Sequence, residues 1–397
     1  MPTRCQTAPV DEAPNVRVVD RRFELPKDAL RDLSRRIERR RTVASLGVGW
    51  ERGVPADWLE ALLRDWRTFD TDALQLRLDA LHQQQADIAG RRLHVVRVEG
   101  RGPNPLPLLL THGWPGSFLE YTSILALLSD PSACGADPAD AFTLVVPSLP
   151  GYAFSAPPPP TGMTGREVAR LWHELMTGLG YERYVAHGSD LGAGVTAWLA
   201  RDHPEAVAGI HLATPGLAVT PPPRSEQEDV FARAVREWTA DEGGYMHEHA
   251  TKPATLAAGL SDSPAGMAAW IGEKIVAWSS TRPDGSPAFD RDLLLSTLTV
   301  YWATNTIATS LLPYWAHRHL PGAALPVGDR SAVPAAISIF GGERVPFPKP
   351  PRELAERYYN VTHWTEHLTG GHFPAVAEPE LLARTLRDAF RAARPRA

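Results

Sequence analysis

The chain is poor in cysteine: it holds two, Cys5 and Cys134, in 397 residues. That excludes a disulfide framework and a cysteine-held zinc centre, and suits free thiols in a reducing compartment. It also lacks long apolar runs. No stretch reaches the roughly 18 uncharged apolar residues of a membrane span. The opening segment, MPTRCQTAPVDEAPNVRVVD, lacks the apolar centre of a secretory leader. Positive charge is not in excess. A net charge of −5 argues against a nucleic-acid partner, which would want a basic face. No phosphate loop, dinucleotide turn or metal-ligand cluster is written in the sequence, so neither a cofactor nor a metal is implied. These absences predict a cytoplasmic protein with no membrane anchor; a homo-oligomer stays open. There is no internal repeat, and the one biased segment is the stiff loop APPPP at 156–160.

What is present is ordinary globular material, 43% hydrophobic and 22% charged. The length suits one large α/β domain with insertions, or two domains. Residues 1–20 read as loosely draped. LPKDALRDLSRRIERRR (25–41) has helical spacing, with Leu30, Leu33 and Ile37 on one face. PADWLEALLRDWRTF (55–69) is a second helix whose stripe is Trp58, Leu62 and Trp66. From residue 91 onward, apolar runs alternate with helical patterns: 91–100, 105–116, 141–155, 181–205 and 207–215. Such alternation predicts a mostly parallel sheet with helices on both faces. The rhythm stops after 215 and returns at 335–343 and 358–364, before a final helix at 378–393. The expected organisation is therefore an N-terminal arm leading into the first strands (1–100), a core part (101–215), a helical lid (216–331) and a second core part (332–397).

One turn carries the chemistry. YVAHGSDLGAG reads strand, tight turn, helix, with Gly188 and Gly192 flanking Asp190. A turn of this kind exposes a nucleophile above a sheet, and the residue usually found there is serine. The chain has no Gly-x-Ser-x-Gly. The plainer reading of Asp190 is a helix cap, since Asp is a favoured N-cap. The order nucleophile, acid, histidine puts the base at His372, in TGGHFPAVAEPELL. His363 and His367 are rivals. The acid that should end the preceding strand is Glu343, with Glu353, Glu356 and Glu366 as rivals. THGWPGS (111–117) offers the amide of Trp114, which with that of Leu191 would form an oxyanion hole. A carboxylate nucleophile attacks saturated carbon and gives an alkyl ester, which water then cleaves at the Asp carbonyl. Epoxides and alkyl halides fit that chemistry; ordinary esters and amides fit it poorly.

With those residues in view, the sequence resembles the epoxide hydrolases of the α/β-hydrolase superfamily, on the microsomal-type branch. The resemblance rests on HGWPGSFLEY, PSLPGYAFS, GSDLGAGV, GYMHEHATKPATLAAGLSDSPAGMAAWIGEKIVAWS and GGHFPAVAEPELLA, in that order along nearly the whole chain. It implies an α/β-hydrolase fold with a helical lid and a helical N-terminal arm. It implies conversion of a small-molecule epoxide and water to a vicinal diol without a cofactor. It also implies Asp190 as nucleophile, His372 as base, Glu343 as orienting acid, and two lid tyrosines, Tyr245 and Tyr314, that activate the epoxide oxygen. A phenol stays protonated at neutral pH and can donate to an opening epoxide, which agrees with those placements. The chain departs from the family at Leu191, where Trp is common, and at Thr71 and Asp79, where the arm commonly carries Trp and Asn. Two other functions stay open on the residues: a haloalkane dehalogenase, whose halide would favour indole N–H donors, and an inactive binding protein of the same fold.

Overall fold

A computed structural model describes residues 16–47, 49–213, 215, 222–328 and 330–394. Residues 1–15, including Cys5, lie outside the described residues; Cys134 is a free, exposed thiol. Among the described residues one sheet has nine strands: β1 (Arg17–Asp20), β2 (Gln83–Ile88), β3 (Arg91–Val98), β4 (Leu106–Thr111), β5 (Phe142–Pro147), β6 (Tyr184–Gly188), β7 (Val207–Leu212), β8 (Pro334–Gly341) and β9 (Asn360–Gly370). Their spatial order is β1-β2-β3-β5-β4-β6-β7-β8-β9. β1, β2 and β3 pair antiparallel, and β3 joins β5 antiparallel. From β5 through β9 every pairing is parallel. The mostly parallel sheet is the one the alternating pattern predicts, and the whole is the α/β-hydrolase fold that the family resemblance implies.

Burial explains why the parallel half is legible in the sequence. β5, β6 and β7 are buried at every position: the helices Gly165–Gly178 and Leu191–Asp202 cover one face of the sheet, and Leu125–Ser129 and Pro379–Phe390 the other. A strand covered on both faces must be apolar throughout, so it reads as a run. The antiparallel flank differs. β1 falls inside the stretch 1–20 that the sequence presents as draped, and that expectation is corrected: Arg17–Asp20 pairs along β2 as an edge strand. β2 itself reads QQQADI, which carries no strand signal. Gln83 is buried because its amide is satisfied: Nε2 donates to Leu78 O (2.7 Å), and Oε1 meets His94 Nε2 at 3.0 Å. Pairing on both edges overrides a weak local propensity.

The arm helices Lys27–Arg39 and Ala56–Arg67 turn their apolar stripes to the helices of residues 226–319, not only to the sheet. Leu33, Ile37, Leu62 and Trp66 share one buried cluster with Leu260, Met267, Ile271 and Leu298. Two indoles tie the layers together: Trp66 Nε1 donates to Thr299 Oγ1 (2.9 Å), and Trp302 Nε1 to Ala29 O (3.2 Å). The lid layer is joined to the sheet's carboxyl edge by Tyr301, which donates to Gly116 O at 3.0 Å, and by Tyr152, which donates to Ser310 O at 2.8 Å. No helix among the described residues is long and apolar enough to cross a membrane.

Candidate active site

The carboxyl ends of adjacent parallel strands form a crevice where open α/β sheets bind ligands. Thr111 ends β4 and Gly188 ends β6, and the two are register partners. Asp190 follows β6 and opens the helix Leu191–Asp202 in an unusual conformation, φ 53° and ψ −124°. A non-glycine residue held at positive φ is strained, and such strain gathers at functional sites. The crowding around the turn explains its two glycines. A Cβ on Gly192 would lie 2.0 Å from Thr111 O, and one on Gly188 would lie 2.1 Å from Gly192 O. The cap reading of Asp190 does not hold: its side chain makes no capping bond to the helix. Instead Oδ1 accepts the backbone N–H of Trp114 at 2.9 Å.

The other carboxylate oxygen, Oδ2, lies 3.5 Å from His372 Nε2. His372 is fixed from behind by its own amide, which donates to Trp278 O (3.0 Å). Its ring is enclosed by Trp278, Phe347 and Phe373, with centroids at 5.0, 5.4 and 4.8 Å. That burial pulls the imidazole below its ordinary value. Asp190 and Glu343 oppose the shift, and Lys349 adds to it. The rival histidines stand elsewhere: His363 is exposed on β9, and His367 stacks on Phe340 at 4.7 Å.

Glu343 follows β8 and is buried, 8% exposed. Its Oε1 is ion-paired to Lys349, whose ammonium also donates to Phe340 O at 2.7 Å. Glu343 Oε2 and His372 Nδ1 are both buried without a hydrogen-bond partner. One is an acceptor and the other is a ring nitrogen, so each is what the other lacks. The structure brings the acid close enough for its charge to act on His372 but leaves the bond between them unmade. Lys349 was not foreseen from the sequence; the Pro-rich segment VPFPKP gives no sign that it folds back on Glu343. The rival acids are surface groups: Glu353 bonds Ser225, Glu356 accepts from Arg352 (2.8 Å), and Glu366 accepts from Trp364 (2.8 Å).

Tyr245 lies on the helix Gly244–Thr251 and Tyr314 on Leu312–His319. Tyr245 stacks on Trp114 at 5.3 Å, and its ring centroid is 6.0 Å from that of Tyr314. Tyr314 in turn is 6.2 Å from Trp114. Burial first, and then the charge of Asp190, raises both phenols well above their usual value, so both hydroxyls keep their protons. His249, one turn on from Tyr245, completes this ring cluster. Its Nε2 accepts the Trp270 indole N–H at 3.0 Å, and burial pulls it down to about 3. The indole N–H groups of Trp114 and Trp278 are buried and unpaired. Leu191 supplies the first amide of the elbow helix. In the arm, Asp79 spends its carboxylate on Arg22 (2.8 and 2.9 Å), and Thr71 opens the helix Thr71–Asp79. One group of possible metal ligands is found among the described residues, His173, His203 and Glu205, with ligand atoms within 4.8 Å of one another. The two imidazoles are stacked face to face at 3.8 Å, an arrangement of packing and not of chelation.

Comparison with known proteins agrees with this fold. Residues 19–121 match the model of the epoxide hydrolase N terminus, and residues 107–243 match that of the alpha/beta hydrolase fold. The chain is 36% identical over 375 residues to a Stigmatella aurantiaca (strain DW4/3-1) protein named as a candidate epoxide hydrolase, covering 93% of this chain and 84% of that one. It is 31% identical over 404 residues to epoxide hydrolase 1 of Oryctolagus cuniculus, covering 92% and 87%. The crystal structure of juvenile hormone epoxide hydrolase from the silkworm Bombyx mori superposes with a TM-score of 0.84 at 27% identity, covering 96% of this chain and 95% of that one.

Proposed function

The chain belongs to the epoxide hydrolases of α/β-hydrolase fold that carry the epoxide-hydrolase N-terminal segment, and from that premise we propose that Asp190 is the nucleophile that opens the epoxide. The reading is carried by one observation. The Asp190 carboxylate is held between an amide donor on one oxygen, Trp114 N at 2.9 Å, and a histidine nitrogen on the other, His372 Nε2 at 3.5 Å.

The steps follow from that arrangement. Oδ2 attacks an epoxide carbon, the carbon–oxygen bond breaks, and Tyr245 and Tyr314 supply the proton the alkoxide needs. The product is an alkyl ester whose carbonyl oxygen is Oδ1, already against the Trp114 amide. His372 takes a proton from water, which adds to the Asp190 carbonyl carbon. The resulting oxyanion is held by the amides of Trp114 and Leu191. Glu343 steadies the imidazolium as Lys349 holds its other oxygen; collapse releases the diol and restores Asp190, and the proton that His372 took from water passes through solvent to the tyrosinate, so that both return to their starting states. All of this is done by the chain's own residues. Residues 1–100 serve as the arm, 216–331 as the lid that carries the proton donors, and 101–215 and 332–397 as the core. The low cysteine content supports a cytoplasmic setting. A dehalogenase reading is favoured by one feature, the unpaired indoles of Trp114 and Trp278, which would suit a halide; halide release from alkyl halides, unaffected by loss of Tyr245 and Tyr314, would be its sign.

The test uses the base. His372→Gln should let Asp190 attack and leave the ester stranded, so incubation with an epoxide raises the intact mass by one substrate. Peptide mapping should place the adduct in YVAHGSDLGAG. In a single wild-type turnover in ¹⁸O-water the diol should carry no label, because its new oxygen comes from Asp190. Label in the first-turnover diol, together with no adduct on the histidine variant, would falsify the assignment.

A further inference from the structure

Resting on the reading of Asp190 just given, the structure assigns a role to a second buried carboxyl beside it: we propose that Glu120 is a positioning residue, a carboxylic acid that braces the turn at Gly116 and keeps the Trp114 amide aimed at Asp190.

Glu120 sits in the short 3-10 turn Phe118–Tyr121, directly after the Gly-Trp-Pro-Gly segment, and is 7% exposed. Burying a carboxyl without a cation is costly, and this one has no cation among its hydrogen-bond or ion-pair partners. Its contacts say what it does instead. Glu120 Oε2 fills the space over Gly116: a Cβ there would lie 2.1 Å from that oxygen. The same Gly116 receives the Tyr301 hydroxyl on its carbonyl at 3.0 Å. The residue that must be placed is Trp114, two positions earlier, so Gly116 is gripped from the lid side by Tyr301 and from its own segment by Glu120. The carboxyl is also within hydrogen-bonding reach of the Tyr121 hydroxyl. That hydroxyl donates to Thr111 O at 2.9 Å, and Thr111 O receives the amide of Ser189, next to Asp190, at 3.4 Å. A path of hydrogen bonds therefore links Glu120 to the Ser189 side of the nucleophile, and its packing over Gly116 reaches the Trp114 side.

The charge pattern decides its protonation. The ionisable groups facing Glu120 are Asp190 from the elbow, Tyr121 from its own turn and Tyr301 from the helix Arg291–Thr304. None is a cation. Burial, and then the negative charge of Asp190, raises Glu120 well above the usual carboxyl range. The pair thus carries one negative charge, on the nucleophile, and the proton on Glu120 lets it act as donor within the turn. A brace of this kind matters for one step. The Trp114 amide is needed most when the Asp190 carbonyl becomes an oxyanion, during ester hydrolysis. Attack by the carboxylate does not need it, since attack removes charge from the oxygen the amide touches.

The experiment separates a polar brace from mere filling. Glu120→Gln keeps shape and a donor; Glu120→Met keeps volume alone. Met should slow ester hydrolysis about a hundredfold, the scale of a small misplacement of a working group. Because alkylation is spared, kcat falls while kcat/KM holds, and intact mass shows nearly all the enzyme as ester at steady state. Gln should restore hydrolysis to within about threefold of wild type. A neutral-carboxyl C=O stretch should be present in infrared spectra of the wild type at neutral pH and absent from the Gln variant. The proposal is overturned if Met leaves kcat unchanged, if it lowers kcat and kcat/KM equally, if Gln is as slow as Met, or if the wild type shows no such band. Should Met fail to fold, the Gln kinetics and the band still decide. If no ester forms even on His372→Gln, the assignment of Asp190 fails instead, and the band continues to read Glu120 by itself.

Discussion

Asp190 is held by backbone, and the tyrosines above it are held by rings. On the sheet side, a strained turn, two glycines that admit no side chain and a main-chain amide fix the proposed nucleophile in place. On the lid side, Tyr245 and Tyr314 are placed by contact with Trp114, His249 and each other. The difference teaches where specificity can change. A backbone cradle tolerates one geometry and serves one reaction; a cluster of rings can be recut to admit another epoxide without touching the nucleophile.

The largest effect should come from breaking the sheet side. Asp190→Ala removes the atom that forms the bond, and kcat should fall on the order of a millionfold, with no adduct on any background. Next comes the lid. Tyr245→Phe or Tyr314→Phe keeps the ring and loses the proton donor, so each should slow alkylation about a hundredfold, and the double variant about ten-thousandfold. Thermal stability should barely move, because the stacking surface is unchanged. The contrast sharpens with an alkyl halide as substrate: its opening leaves no alkoxide, so it should need Asp190 and not the tyrosines. A double Phe variant that alkylates an epoxide at the wild-type rate would end the division of labour between the two sides.

The same contrast governs what could be read from the sequence. Asp190 was legible because its turn demands small residues at fixed places, and His372 because a Gly-Gly loop precedes the last helix. β4 through β7 were legible because burial on both faces forces apolar runs. β1 and β2 were not, because QQQADI is held by strand pairing on both edges and by the bonded amide of Gln83, which leave no periodicity behind. Tyr245 and Tyr314 came from the family resemblance: an isolated tyrosine in a helical stretch looks like any core aromatic. Lys349 and Glu120 were missed for a common reason. Each works through a contact that the chain makes by folding back on itself, and a lone Lys in a proline-rich loop or a lone Glu after a turn carries no local sign of it.

The smallest predicted effect is a displacement of the pH profile, and it tests the site's remaining link, between His372 and the acid behind it. Burial comes first in lowering His372 below its ordinary 6.5, and Lys349 pulls the same way against Asp190 and Glu343. The sign follows from the role. The base must be neutral to accept a proton from water, and a depressed value keeps it neutral to lower pH. During ester hydrolysis Asp190 carries no charge, so one of the two influences that raise His372 is absent and the imidazole is held neutral further still. Measured on the pre-formed ester, the rate of hydrolysis should therefore be flat through pH 6.5 and reach half its plateau only below that value. Lys349→Met removes a cation and frees the charge of Glu343 to act on the ring. Both changes raise His372, so the acid limb should move upward. The tyrosine variants should leave that limb where it is, since they act before the ester exists. A half-plateau at or above pH 6.5 in the wild type would mean that burial does not dominate the base, and a Lys349→Met limb displaced to lower pH would mean that Glu343 and Lys349 do not set its charge state.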